Sequence, residues 1–263
     1  MMYGPKFVIG DAAELPFGDN TFDCHVTSPP YFGQRFYGDD EREVGRGSLD
    51  EYIAAEVDAM REVYRVLKPT GTSWYNVADT ASNSGGAGGD HVSGAKKGIR
   101  KYRQGDMGIQ GSQWGLVPYR LALGFQSAGW LVRSVIVWDK GVLHPESLKH
   151  ARRPGYGYEV ILMLAKSSSY KFYDDLLVER GNIWHFKPSY GKDHVAPFPD
   201  ELPRRCIEPS TDPGDLVLDT HSGTGSTARV AESLDRCGVG VELYPEVALN
   251  AAGRDNPINM FTA

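Results

Sequence analysis

The 263-residue sequence has few cysteines and none of the common metal or triphosphate motifs. Its three cysteines, Cys24, Cys206 and Cys237, lie far apart, so neither a disulfide framework nor a CxxC metal site is indicated, and we expect buried thiols. Seven histidines show no HExxH or paired spacing, so no metal site is predicted. GxxxxGK[ST] is also absent, which disfavours a nucleotide triphosphatase.

Long apolar runs are also missing. No stretch approaches the roughly 20 residues that span a bilayer, and the N-terminus has no apolar signal segment, so we expect a soluble, cytoplasmic protein without a membrane partner. The formal charge of −6 argues against indiscriminate coating of nucleic acid, since non-specific binding depends on neutralising phosphates. The length favours one domain over 1–263, with a glycine-rich basic loop inserted at 80–115.

Short apolar runs alternate with helical patterns along the chain. The runs predict strands at 7–11, 21–26, 72–78, 131–138, 158–165, 216–219 and 238–243. Ser48 and Glu51 form a capping box that begins a helix over 48–67, and further helices are expected near 116–128 and after Gly225. This alternation implies an α/β fold with a mainly parallel sheet and helices on both faces.

The most informative segment is Thr27-Ser28-Pro29-Pro30-Tyr31, at the end of the second predicted strand. Pro29 and Pro30 must end this strand, because neither can donate to a sheet ladder. The Ser28 hydroxyl and the Pro29 carbonyl can then accept from an exocyclic NH2, while Tyr31 offers a ring for stacking. The segment is therefore a candidate site for a planar amine. The alternatives are a proline-terminated strand with an ordinary core tyrosine, or a polyproline-type segment.

A second candidate site lies late in the chain, where Asp219-Thr220-His221-Ser222-Gly223-Thr224-Gly225 joins a strand to a helix. Its glycines let the backbone turn tightly and approach a ligand closely. Glu242 ends the next strand about twenty residues on, where an acidic residue accepts hydrogen bonds from ribose hydroxyls. These features predict a site for an adenosine-containing cofactor. The alternatives are a helix-capping role for Asp219 and a solvated strand end for Glu242.

The two segments, in this order, resemble those of amino-methylating DNA methyltransferases of the permuted β class, which use S-adenosylmethionine. In that family a Ser-Pro-Pro-Tyr type catalytic motif precedes the glycine turn of the cofactor site. Other segments that match are Gly10-Asp11-Ala12, Arg65-Val66-Leu67-Lys68-Pro69 with Gly71, Trp138-Asp139-Lys140, Tyr158-Glu159-Val160-Ile161-Leu162 and His194-Val195-Ala196-Pro197-Phe198-Pro199. The chain departs at Asp219-Thr220-His221, where the family usually has Asp-Pro-Phe, which puts the role of His221 in doubt.

The resemblance implies the Rossmann-like methyltransferase fold, with circularly permuted motifs and a seven-stranded sheet that contains one antiparallel strand. It implies catalysis by Ser28, Pro29, Pro30 and Tyr31 on a base flipped out of double-stranded DNA. It also assigns the adenine amine to Asp11 and the ribose to Glu242. The full set of implied cofactor-binding residues is Asp11, Ala12, Phe198, Pro199, Asp219, Ser222, Gly223, Thr224, Gly225 and Glu242.

Ser28 stands where adenine-specific members more often carry Asp, so the resemblance favours methylation of cytosine N4, with adenine N6 as the alternative. Action on RNA or protein amides, and a non-catalytic DNA-binding protein, are further alternatives. A homodimer is compatible with the sequence. DNA contacts are expected from two basic loop clusters, whose alternative is a solvated loop: Lys96, Lys97, Arg100, Lys101 and Arg103, and Lys149, Arg152 and Arg153.

Overall fold

The computed structural model describes residues 5–33, 40, 42–44, 47–82, 108–111, 113–143, 154–189 and 198–253. These residues contain the strands β1 (Lys6–Ile9), β2 (Phe22–Thr27), β3 (Leu67–Val77), β4 (Leu131–Asp139), β5 (Tyr158–Ala165), β6 (Ile183–His185), β7 (Leu216–Asp219) and β8 (Cys237–Glu242). The helices are α1 (Leu49–Val66), α2 (Val117–Ser127), α3 (Glu201–Ile207), α4 (Ser226–Ser233) and α5 (Pro245–Ala252).

All eight strands belong to one sheet, in the order β1-β8-β7-β2-β3-β5-β4-β6. β5 runs antiparallel to β3 and β4, while every other neighbouring pair is parallel. The predicted mainly parallel sheet with one antiparallel strand is confirmed, but it has one strand more than the seven expected. The additional strand, β6, has three residues, too few for a periodic pattern to reveal it.

The strand ends that carry the polar residues of the predicted sites lie along one edge of the sheet. The seven parallel strands all finish there, and β5, because of its opposite direction, begins there. We call it the carboxyl edge. In open α/β sheets ligands bind outside this edge, so the strand directions alone bring the two predicted sites to the same side of the molecule.

Helices cover both faces of the sheet, as predicted. Alternate residues of β3 and β5 enter different apolar clusters: Tyr75 and Leu162 join the cluster beneath α1 and α2, whereas Trp74 and Ile161 join the one beneath α3 and α4. All six residues of β2 are buried. β5, which is covered on both sides, accordingly reads as a nearly continuous apolar run, whereas β2 and β3 also carry buried polar side chains.

The α1 helix begins as its sequence predicts. The Ser48 hydroxyl accepts from the Glu51 amide at 3.3 Å, and the Glu51 carboxylate accepts from the Ser48 amide at 2.6 Å, which completes the capping box. The chain passes directly from α1 into β3, five residues earlier than the predicted strand. A register shift opposite Phe22 and Cys24 accommodates this early start.

The cysteines follow the prediction only in part. Cys24 and Cys206 are buried, but the prediction is wrong for Cys237, which is exposed because it is the first residue of β8, at the edge opposite the site. None of the helices described is long and apolar enough to cross a membrane. No cluster of metal-ligating side chains occurs in the described part of the chain.

Candidate active site

The turn between β7 and α4, residues 219–225, forms one half of the site. Gly225 has φ +80°, in the left-handed region that favours glycine, and a Cβ there would lie 2.5 Å from the Phe7 ring. On the neighbouring strand, a Cβ on Gly240 would lie 2.7 Å from Cβ of Ser222. Glycine at these two positions therefore allows the turn to pack closely on β1 and β8.

Glu242 supports this turn from the end of β8. Its Oε2 accepts from the Gly223 amide at 3.0 Å, and its Oε1 accepts from the Tyr244 amide at 3.1 Å. Burial raises the pKa of Glu242, and the amide donors oppose that effect. The carboxylate is thus fixed by the backbone, and the alternative of a freely solvated strand end is wrong.

Asp11 lies next to Glu242, because β1 and β8 are paired and the Gly10 amide donates to the Glu242 carbonyl at 3.0 Å. The Asp11 Oδ1 accepts from the Ala13 amide at 2.9 Å, which holds this carboxylate in a tight turn. The backbone segments that carry these two acidic residues are therefore neighbours at the carboxyl edge.

Two buried oxygen atoms in the turn lack partners. Asp219 Oδ2 and Ser222 Oγ have no hydrogen bond within the part of the chain that the structure describes. Burial raises the pKa of Asp219 to about 6, opposed by a hydrogen bond from Thr27. Buried acceptors without donors are costly unless a ligand supplies the donors. A cofactor with an ammonium group fits these oxygens, which the resemblance assigns to the methionine part of S-adenosylmethionine.

The turn predicted to be catalytic, residues 27–31, follows β2 and forms the other half of the candidate site; we call it the catalytic turn. Pro29 is buried, and the Pro30 carbonyl accepts from the Tyr52 hydroxyl of α1 at 3.1 Å. Two prolines fix the local φ angles, and Tyr52 ties the turn to the helix beneath it. The turn therefore has little freedom to move.

Beyond the turn, the Ser28 and Tyr31 hydroxyls belong to a hydrogen-bonded network. Ser28 Oγ donates to the Tyr31 hydroxyl at 3.1 Å, and Tyr31 donates to Glu159 Oε2 at 2.6 Å. Asn76 Nδ2 contacts the Tyr31 hydroxyl at 2.7 Å, Glu159 Oε2 at 2.8 Å and Ser28 Oγ at 3.3 Å. Lys140 Nζ pairs with Glu159 Oε1 at 2.9 Å. We call these five residues the Ser28–Glu159 network.

A direct hydrogen bond joins the two halves of the site. Thr27 Oγ1 donates to Asp219 Oδ1 at 2.8 Å, although the residues are 192 positions apart. His221 Nδ1 lies 3.4 Å from Thr27 Oγ1 and 3.2 Å from Thr220 Oγ1. Burial lowers the pKa of His221 to about 4, so its ring is neutral at neutral pH. His221, which departs from the family pattern, therefore connects the catalytic turn with the 219–225 turn, which is predicted to bind the cofactor and which we call the cofactor turn.

The structure brings most predicted site residues to the carboxyl edge, where Ser28, Tyr31, Asp219 and Glu242 lie at adjacent strand ends. Phe198 packs against the cluster beneath α3 and α4, and its contact with a cofactor stays a prediction. The eight predicted DNA contacts fall outside the described residues: Lys96, Lys97, Arg100, Lys101, Arg103, Lys149, Arg152 and Arg153.

Sequence reasoning assigned no role to Asn76, Lys140 or Glu159. Lys140 and Glu159 do occur in segments that match the family, Trp138-Asp139-Lys140 and Tyr158-Glu159-Val160-Ile161-Leu162, and a charged residue beside a buried strand was the available signal. Asn76 lies within a buried strand and gave no such signal.

Comparison with known proteins agrees with this geometry. The family described as DNA methylase matches residues 22–252. The Type II methyltransferase M.SmaI of Serratia marcescens is 35% identical over 265 residues, covering 95% of this chain and 90% of that protein. M.Cfr9I of Citrobacter freundii is 38% identical over 269 residues, covering 95% and 87%. The chain belongs to the DNA methylase family, whose methyl donor is S-adenosylmethionine, and the predicted class of enzyme is confirmed.

Solved structures share the fold. The PvuII DNA methyltransferase, described as cytosine-N4-specific, matches with a TM-score of 0.70 and 22% identity, covering 98% of this chain and 90% of that one. The protein TTHA0409 of Thermus thermophilus, solved in complex with S-adenosylmethionine, matches with a TM-score of 0.65 and 24% identity, covering 94% and 91%. The Rossmann-like methyltransferase fold is therefore confirmed.

Proposed function

We propose that this enzyme transfers a methyl group from S-adenosylmethionine to the exocyclic amine of a base flipped out of double-stranded DNA, namely cytosine N4. The observation that carries the proposal is the hydrogen bond from Thr27 to Asp219, because it holds the end of the catalytic strand against the cofactor turn. When bound, the cofactor supplies a methyl group already activated by its sulfonium. Alignment of this methyl with the amine is then the main task of the protein.

In this proposal the unpartnered Asp219 Oδ2 and Ser222 Oγ receive the methionine part of the cofactor, and Glu242 accepts from the ribose. Asp11 lies beside Glu242 and would receive the adenine amine. Ala12, Phe198, Pro199 and Thr224 complete the proposed cofactor pocket. Each assignment agrees with the chemistry of the group, since all of the polar contacts pair an oxygen acceptor with a donor of the cofactor.

The Ser28 hydroxyl and the Pro29 carbonyl are the proposed acceptors of the base amine. A base amine is a weak nucleophile because its lone pair is delocalised into the ring, so acceptors that hold both hydrogens help the nitrogen to face the methyl group. Tyr31 stacks on the flipped base in this proposal. Cytosine is preferred because Ser28 replaces the Asp that is more frequent in adenine-specific enzymes, and the PvuII enzyme carries the cytosine-N4 description.

The test is mass spectrometry of nucleosides from duplex DNA that has been incubated with the purified protein and labelled S-adenosylmethionine. We expect label in N4-methylcytosine. Ser28→Ala and Tyr31→Ala should each lose most of the turnover while binding the cofactor nearly as wild type does. Label in N6-methyladenine would reject the cytosine assignment but spare the site, and wild-type turnover by both variants would reject the site.

Four further predictions concern DNA contacts, domain organisation, oligomeric state and cellular location. We propose that the basic clusters at 96–103 and 149–153 contact DNA phosphates, as their composition suggests. Residues 1–263 are proposed to act as one domain, with 80–115 as an inserted DNA-binding loop. The homodimer and the cytoplasmic location stay predictions, which sedimentation of the purified protein and cell fractionation respectively test.

A further inference from the structure

We propose that Glu159 receives the proton released by the base amine, through the Ser28 and Tyr31 hydroxyls, and that Lys140 and Asn76 hold Glu159 in place for this step. The inference rests on the proposed function, since it takes the Ser28 hydroxyl as the group that touches the amine. Methyl transfer leaves the amine nitrogen with one proton too many. That proton needs a destination within reach of the catalytic turn.

The direction of the hydrogen bonds supports this path. Ser28 donates to Tyr31 at 3.1 Å, and Tyr31 donates to Glu159 Oε2 at 2.6 Å, so the two hydroxyl hydrogens point in one direction, along a path from Ser28 to the carboxylate. A serine hydroxyl has one hydrogen and two lone pairs. Asn76 Nδ2 also lies 3.3 Å from Ser28 Oγ, but its two hydrogens serve shorter contacts, so the lone pairs of Ser28 are available to the amine.

Asn76 fixes this arrangement. Its Nδ2 lies within 2.8 Å of both the Tyr31 hydroxyl and Glu159 Oε2, and only an NH2 group can donate to a carboxylate, so the orientation of the amide is determined by Glu159. The two amide hydrogens are engaged by these two shorter contacts. Asn76 Oδ1 is buried and has no partner within the described residues, so the amide is held by the donor side alone.

The proton step conserves atoms and charge. One amine N–H bond breaks as its proton passes to Ser28 Oγ, while the Ser28 proton passes to the Tyr31 oxygen and the Tyr31 proton passes to Glu159 Oε2. Both hydroxyls end as neutral as they began. The nitrogen loses one positive charge and Glu159 becomes a neutral acid. Burial and the neighbouring carboxylate raise the pKa of Tyr31, so its hydroxyl transmits the proton and does not ionise.

Lys140 holds the other oxygen of the proposed acceptor. Its ammonium pairs with Glu159 Oε1 at 2.9 Å, the oxygen that Tyr31 and Asn76 leave free, so both carboxylate oxygens are fixed by donors. Glu159 is only 8% exposed, and without this cation its charge would be costly to bury.

The test compares Glu159→Gln with wild type in single-turnover methylation of duplex DNA. We expect a rate about 10²-fold lower at neutral pH, in line with the usual contribution of a positioned proton acceptor, with cofactor and DNA affinities nearly unchanged. The rate of the variant should rise with pH as hydroxide replaces the carboxylate, whereas the wild-type rate should be level near neutral pH. Tyr31→Phe, which keeps the ring and removes the hydroxyl, should show the same slower rate and rising profile.

Two further measurements separate proton acceptance from a structural role. In Glu159→Ala, formate should restore activity, whereas chloride at equal ionic strength should not. Absorbance titration of the phenolate, with Tyr31→Phe as the blank, should show a lower pKa of Tyr31 in Glu159→Gln than in wild type. If Glu159→Gln leaves Lys140 unpaired and the protein unfolds, Glu159→Gln combined with Lys140→Met restores the charge balance and gives the same expected profile.

The outcomes distinguish the inference from the proposed function. A folded Glu159→Gln protein with a rate within about threefold of wild type and an unchanged pH profile would overturn the role of Glu159. If Ser28→Ala is inactive in the same assay, the proposed site stands and only the proton path is rejected. If Ser28→Ala is fully active, the site itself is rejected and the proton path with it.

Discussion

Replacing Glu56 with Gln should remove a large part of the pH dependence of stability. Glu56 lies on α1 with 0% exposure, and its Oε2 accepts from the Tyr75 hydroxyl at 2.7 Å. Its Oε1 has no hydrogen bond within the described residues. Because one donor does not replace the lost hydration, burial raises the pKa of Glu56 from 4.5 to about 7.

The sign of the effect follows from proton binding. Between pH 4.5 and about 7 the folded protein retains a proton on Glu56 that the unfolded chain releases, so stability falls as the pH rises. Below this window both states are protonated and Glu56 contributes nothing. Above it the whole penalty is present, about 3 kcal/mol at about 1.4 kcal/mol for each pH unit.

Urea unfolding of wild type and Glu56→Gln, followed by tryptophan fluorescence across this window, measures the effect. The difference in free energy of unfolding should shift by up to about 3 kcal/mol in favour of the variant from low to high pH. Tyr75→Phe is the matched control, because it removes the donor that opposes the raised pKa, and its pH dependence should extend to higher pH. A wild-type-to-Gln difference that stays constant with pH would refute the reasoning.

Two other predictions concern ligands. Glu242→Ala should weaken S-adenosylmethionine binding by about ten- to hundredfold, since hydrogen bonds to a charged acceptor contribute roughly 1.5–3 kcal/mol, and calorimetry measures this; unchanged affinity in a folded protein would leave Glu242 as a support for the turn only. Joint replacement of Lys96, Lys97 and Arg100 by Gln should flatten the salt dependence of DNA binding by up to about three units of slope, measured by fluorescence anisotropy. If DNA affinity depends on salt in the same way for both proteins, the DNA binds another surface, and Arg152 and Arg153 are the next candidates.

The elements that local rules specify could be predicted from the sequence. α1 has its capping box, and β5 and β7 are apolar runs between clear breaks, so their predicted bounds agree with the structure. β6 is too short for any period, and α3 has seven residues with Pro203 in its first turn. Weak elements of this kind depend on tertiary packing, which a local pattern does not contain.

The same limit explains why the residues that surround the catalytic turn could not be predicted from the sequence. Ser28 and Tyr31 follow a strand, and the two prolines between them make this segment recognisable in the sequence. Glu159 becomes their neighbour only because β5 inserts antiparallel next to β3, and the order of strands in a sheet is not written in any one segment. The side chains around a motif are therefore less predictable than the motif itself.

The position of β2 between β3 and β7 also has a consequence for the synthesis of the enzyme on the ribosome. At about 5–20 residues per second, roughly 10–40 s separate the synthesis of Thr27 from that of Leu216. Throughout that interval the edge of β2 that pairs with β7 is open, because the strand that closes it and leads into the cofactor turn has not been synthesised. The nascent chain is thus inactive and exposes an unpaired strand edge until β7, which begins at residue 216 of 263, has emerged. Pairing of β2 and formation of the cofactor turn then occur together.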